Sequence, residues 1–169
     1  MQNFPGMPNP LQQRFQQALA LHQGGRIAEA EQTYEAILRQ QPRHFDALHM
    51  LGVIALQTQR TAHGVELITK ALKINPRVAA AHANLGMGLH AQKQFKDALA
   101  CYGKAIALDP NQTDTHNNRG NTLHQLQRYQ EALASYDRAI VLNPNHAEAH
   151  SNRGATLYDL RRLDDALAS

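Results

Sequence analysis

Three asparagines, Asn84, Asn118 and Asn152, recur at intervals of 34 residues. Asparagine is a weak helix former, so propensity does not account for its return inside a helical pattern. Its carboxamide both donates and accepts, which suits the N–H and C=O that each residue of an extended polypeptide presents. A row of such groups is chemistry for holding a peptide by its backbone; repeat duplication of a solvent-exposed residue would leave the same row. Histidines raise the question of a metal. His82, His116 and His150 share one column, and one imidazole per 34 residues cannot bring three rings to bonds of about 2 Å on a single ion. Packing between helices accounts for them. His22, His90 and His124 form a second column, near the asparagines, as ligand contacts or as solvated surface. The run His146-Ala147-Glu148-Ala149-His150 has the spacing of a zinc helix but lacks the Glu directly after its first His. His146 also follows Pro144 so closely that it should precede the helix. Phosphate loops, nucleophile elbows and paired carboxylates are absent, and Cys101 has no second cysteine or columnar partner. No catalytic residue, metal or cofactor is expected, and the chain itself is not expected to be an enzyme.

The elements that would position these residues follow from four prolines. Pro42, Pro76, Pro110 and Pro144 lie 34 residues apart, which is a repeat period. Aligned on them, the chain divides into repeats 11–44, 45–78, 79–112 and 113–146 and a partial repeat 147–169. Residues 1–10, with three prolines and a glycine, form a flexible tail. Within 79–112, apolar residues recur at three- and four-residue steps on both sides of a polar stretch at 92–94, the pattern of helix, turn, helix. Each proline closes a second helix. Position 8 of the repeats holds Ala18, Gly52, Gly86, Gly120 and Gly154, and position 20 holds Ala30, Gly64, Ala98, Ala132 and Ala166. Small side chains let two antiparallel helices approach, so these columns should meet. The fold class is all-α, a series of antiparallel helix pairs.

The period, the pairs Leu51-Gly52, Leu85-Gly86, Glu29-Ala30 and Glu131-Ala132, and the column Tyr34, Tyr102, Tyr136 resemble tetratricopeptide repeats over residues 11–169. Repeat 2 departs most, with Thr61, His63 and Gly64 in its second helix. The resemblance implies a right-handed α-solenoid, a superhelix whose first helices line a concave groove with positions 2, 5, 6, 9, 12 and 13. Helical geometry alone places 2, 5, 6, 9 and 13 on one stripe. That set adds Asn117, Asn121, His49, Met50, Met87, His90, His124, Asp114 and Glu148 to the three asparagines as peptide-binding candidates. The groove is graded, apolar at Phe15, Met50, Val53 and Met87, polar at Asp114, Asn117, Asn121 and Glu148. Positions 2, 5, 6 and 9 of the repeats hold no Lys or Arg, which argues against a carboxylate clamp. The segments 116–121 and 150–154 also resemble bacterial relatives of O-linked N-acetylglucosamine transferases and SPINDLY-type proteins. Two functions follow: a scaffold holding an extended polypeptide segment in its groove, or the substrate-recognition arm of a larger glycosyltransferase.

A net charge of +3 on 169 residues, without a run of like charges, points to neither nucleic acid nor a membrane surface. Lys70, Lys104 and Arg138 belong to second helices and should face outward. Arg119 and Arg153 should lay their stems on apolar surface and reach an acid or carbonyl. One cysteine and no apolar leader or span imply a cytoplasmic location. Ser169 falls within the expected second helix of the fifth repeat, without a capping helix. A longer parent protein and self-association through the uncapped end are the expectations.

Overall fold

The computed structural model describes residues 10–167, with side chains as far as Arg162. Nine helices and short connections make up these residues: α1 (Pro10–Gln23), α2 (Ile27–Gln40), α3 (Phe45–Gln57), α4 (Thr61–Ile74), α5 (Ala79–Ala91), α6 (Phe95–Leu108), α7 (Thr113–Gln125), α8 (Tyr129–Leu142) and α9 (Ala147–Leu167). The expected tail lies outside the described residues, save that Pro10 opens α1. Proline suits a first helical position, because its fixed φ is already helical and its missing N–H would have no partner there.

Four of the helix pairs are closed by the same turn. Gly25, Gln59, Lys93 and Gln127, one per repeat, stand in the left-handed region with φ of 75°, 61°, 60° and 58°. The residue after each returns its N–H to a carbonyl five residues back, as from Arg60 to Leu56's neighbour Ala55 at 2.8 Å and from Gln94 to Leu89 at 2.9 Å. The motif satisfies carbonyls that the helix end leaves open. Three of these residues are not glycine, and the left-handed conformation costs each about 1–2 kcal/mol. The packing of the second helix against the first offsets that cost. At the other end, α2, α4, α6 and α8 stop at Gln41, Asn75, Asp109 and Asn143, each directly before its proline.

The chain forms two compact bodies, divided between Pro76 and Arg77. In the N-terminal body, α1 to α4 pack in sequence around Ala18, Ala30, Tyr34, Ile37, Leu48 and Ile54. In the C-terminal body, α5 to α9 likewise pack in sequence, and the first helices α5, α7 and α9 also touch one another. No helix among the described residues is long and apolar enough to cross a membrane.

The small columns meet as expected in repeat 2, where a β-carbon on Gly64 would come 2.9 Å from the carbonyl oxygen of Gly52. In repeats 3 and 4 the glycine faces position 24 instead. Gly86 lies under the ring of Tyr102, and Gly120 under that of Tyr136. The large rings fill the crossing that the small residues open.

The fifth repeat corrects an expectation. Residues 160–162 make no turn, and α9 continues unbroken to Leu167 where a second helix was expected to begin. Leu and Arg are good helix formers, and Arg161 stands where the other repeats place their left-handed residue. Among the described residues, no atom comes within 4 Å of a β-carbon placed on Gly154.

Candidate functional site

Along α5, α7 and α9 lie three hollows. The first, of about 290 Å³, is bounded by Asn84, Met87, Asp114 and Asn118 with small residues of α5 and α7. The second, about 120 Å³, lies between Met87, His90, Tyr102, Asn118 and Asn121. The third, about 340 Å³, is lined by His90, Asn121, His124, Gln125, Tyr136, Asn152 and Ala155. Met87 and Asn118 belong to the first two hollows, His90 and Asn121 to the last two, so the three form one trough. All three asparagines of the 34-residue row line it.

Their hydrogen bonds differ. The Asn118 carboxamide has no hydrogen-bond partner among the described residues and is only partly buried. Asn121 accepts at Oδ1 from the Tyr136 hydroxyl at 2.8 Å. Asn152 donates from Nδ2 to Oδ1 of Asn117 at 3.1 Å, and Asn117 donates in turn to Glu148 at 3.3 Å. The phenol of Tyr136 is buried, which pushes its pKa up to about 12 and keeps it protonated as a donor.

The second histidine column is tied across repeats. His22 reaches Gln57 at 2.8 Å, and His124 reaches Asp159 at 3.0 Å, each from position 12 to position 13 of the next repeat. His90 bonds instead to the Thr122 hydroxyl at 2.8 Å through Nδ1. Thr122 spends its own proton on the carbonyl of Asn118, so His90 Nδ1 must be the donor. Burial lowers the pKa of His90, which favours the neutral ring with Nε2 as an acceptor. The rings of His90 and His124 rest against Phe95 and Tyr129, each with centroids 5.3 Å apart.

Two candidates leave the ligand-facing set. Position 5 divides: His49 is buried against Phe45 and Asn117 is 1% exposed with both ends of its carboxamide occupied, whereas Ala83 lines the first hollow and Ser151 is exposed. Asp114 and Glu148 stay exposed at the rim, Asp114 paired with His146 at 3.1 Å. Met50 joins Leu19, Ile27 and Val53, with His22, Gln23 and Gln57, around a hollow of about 410 Å³ in the N-terminal body. Tyr136 lines the trough and Thr122, fully buried, holds His90 from beneath, although only their types at recurring positions could have pointed to them.

The remaining constellations have structural partners. His116 and His150 donate from Nε2 to the carbonyls of Pro110 and Pro144, at 3.0 and 2.9 Å. Those carbonyls accept only, so each ring carries its proton at Nε2. Arg153 reaches the carboxylate of Asp137 at 2.6 Å, and Arg119 the hydroxyl of Ser135 at 2.7 Å. Among the described residues no three His, Cys, Asp or Glu side chains are grouped to hold a metal. Cys101 is a buried free thiol whose pKa burial raises, the reverse of what a nucleophile needs.

Two family models match the chain: one described as tetratricopeptide repeat over residues 15–79, the other as TPR repeat over residues 89–127 and 120–160. The peroxisomal targeting signal receptor of Saccharomyces cerevisiae is 29% identical over 59 residues, 35% of this chain and 10% of the receptor. That of Komagataella phaffii is 30% identical over 67 residues, 40% of this chain and 12% of the receptor. The match thus spans about a tenth of these relatives' length. Among solved structures, MamA superposes with a TM-score of 0.79 at 19% identity, covering 89% of this chain and 88% of its own. YrrB, described as a TPR protein with an unusual peptide-binding site, superposes with a TM-score of 0.76 at 21% identity, covering 86% of this chain and 75% of its own. Identities this low establish a common fold of stacked helix pairs.

Proposed function

The chain belongs to the tetratricopeptide repeat family, and from that premise we propose that it is a binding scaffold whose C-terminal body holds an extended polypeptide segment along α5, α7 and α9. One observation carries this reading: the carboxamides of Asn84, Asn118 and Asn152, one per repeat, line a single trough made of three joined hollows. Neighbouring packed helices lie about 8–10 Å apart, and an extended chain advances about 3.3 Å per residue, so each asparagine could serve about every third ligand residue. Asn118 has its whole carboxamide to offer, while Asn121 and Asn152 each offer the half that Tyr136 and Asn117 leave open. The trough holds no Lys or Arg, so a ligand is held by hydrogen bonds and its own side chains rather than through a terminal carboxylate. In the N-terminal body, Leu19, Ile27, Met50 and Val53 in the wall of one hollow would favour apolar ligand side chains.

A peptide array probed with this chain and with the triple variant Asn84→Ala, Asn118→Ala, Asn152→Ala tests the reading. Loss of most retained spots, from a variant whose circular dichroism spectrum is still that of a folded helical protein at the assay temperature, is the expected result; equal retention by both proteins would sink it. The segments around Asn118 and Asn152 keep a second reading in view, the recognition arm of an O-linked N-acetylglucosamine transferase type of enzyme. It uses the same trough, and the parent gene's coding sequence distinguishes the two.

A further inference from the structure

The third hollow differs from its neighbours in being lined by polar groups, two carboxamides, Gln125, Tyr136 and the imidazoles of His90 and His124, with Ala155 as the one aliphatic side chain. Two of its carboxamides make bonds on their far sides. On α7, Asn121 receives the Tyr136 hydroxyl on Oδ1 at 2.8 Å, which leaves its Nδ2 as a donor. On α9, the orientation is set by a relay that begins at Glu148. An ionised carboxylate only accepts, so Asn117 must turn Nδ2 toward Glu148, at 3.3 Å, and Oδ1 toward Asn152. Asn152 must then present Nδ2 to Asn117, at 3.1 Å, and its Oδ1 remains as an acceptor. Asn117 is 1% exposed, so water does not offer its carboxamide an alternative set of partners.

We propose that this hollow is a specificity pocket for a carboxamide side chain, Asn or Gln, of the bound polypeptide, with Glu148 and Asn117 acting as positioning residues. The inference rests on the reading of the trough as a peptide site. A primary carboxamide supplies one acceptor for Asn121 Nδ2 and one donor for Asn152 Oδ1. A carboxylate of the same shape has no proton to give and would set a negative charge against the Asn152 oxygen. An aliphatic side chain would leave both groups unpaired. A hollow of about 340 Å³ has room for a side chain, whereas the ligand backbone is served by the asparagines along the trough.

A positional-scanning library of twelve-residue extended peptides, in solution against the intact chain, tests the pocket. The expected result is one ligand position at which Asn or Gln exceeds Asp, Glu and Leu by about tenfold, the scale set by leaving one buried hydrogen-bonding group unmade. Glu148→Gln removes the acceptor-only end of the relay and lets both carboxamides turn over. Its Gln-over-Glu preference should collapse while the selectivity at other positions and the melting temperature stay as they were. Binding that Asn118→Ala weakens, but with no carboxamide preference at any position, overturns the pocket and leaves the trough standing. A preference that survives unaltered in Glu148→Gln overturns the relay. A library from which nothing is retained overturns the trough and the pocket together.

Discussion

A β-carbon placed on Gly86 would stand 2.6 Å from Cε1 of Tyr102, so the tyrosine ring fills the space that any other residue at 86 would need. Tyr102 is 1% exposed and cannot swing aside into solvent. Gly86→Ala should therefore destabilise the chain by about 1–3 kcal/mol, the usual cost of overpacking. Gly103, on the outer side of the same pair, has open space around its α-carbon. There Gly→Ala should stabilise by about 0.5–1 kcal/mol, from helix propensity alone. Chemical denaturation of the two variants measures both, and shifts of the same sign would contradict the packing.

Acid should loosen the fold through His49 and His90. Burial lowers both pKa values, opposed at His49 by the nearby Asp46. The unfolded chain then binds more protons than the folded one as pH falls through about 6.5, and stability drops with it. The melting temperature should be lower at pH 5 than at pH 7.5, and His49→Gln should flatten part of that slope. An identical pH slope in the variant would show that His49 does not contribute.

Cys101 should resist thiol reagents in the native state. Its side chain is buried, and burial raises its pKa against the weaker opposing pull of Lys104. Disulfide-exchange reagents at pH 8 should label it slowly until denaturant unfolds the chain, with the rate tracking the opening of α6. Fast stoichiometric labelling without denaturant is the result that would count against this.

His146 serves two helices with one ring. Nδ1 accepts from the N–H of Ala149 at 3.1 Å, capping α9, and Nε2 meets Oδ1 of Asp114 on α7 at 3.1 Å. His146→Ala should cost about 1 kcal/mol, as the loss of a helix cap does, and His146→Asn should restore most of it. Equal stability of the two variants in urea titrations would remove the capping role.

The periodic features of the fold were legible because each depends on a single helix or turn. The prolines marked where α2, α4, α6 and α8 end, and the placement of His146 ahead of α9 followed from Pro144 in the same way. What escaped depends on how helices pack and on turns that leave no mark in residue type. A helical stripe drawn through Asn117 cannot show how far the next first helix closes over it, and closure by α9 is what buries it among Glu148 and Asn152. His49, on the same stripe, is buried and packs against Phe45 one turn before it in α3. The tyrosine column was visible, but its seat on the position-8 glycines required the angle at which the paired helices cross. The continuous α9 escaped because the turn in other repeats uses Gln or Lys in a left-handed conformation, and such residues carry no mark of it.

The imidazoles of His116 and His150 each grip a proline carbonyl six residues upstream, at the end of the preceding repeat. The joint between consecutive repeats is thus built partly from one repeat and partly from the next. For anyone shuffling these repeats into a new array, the natural seam lies ahead of the proline, between Leu108 and Asp109 or between Leu142 and Asn143. A graft cut there carries its own joint with it, whereas one cut after Pro110 or Pro144 separates the carbonyl from the histidine that orients it.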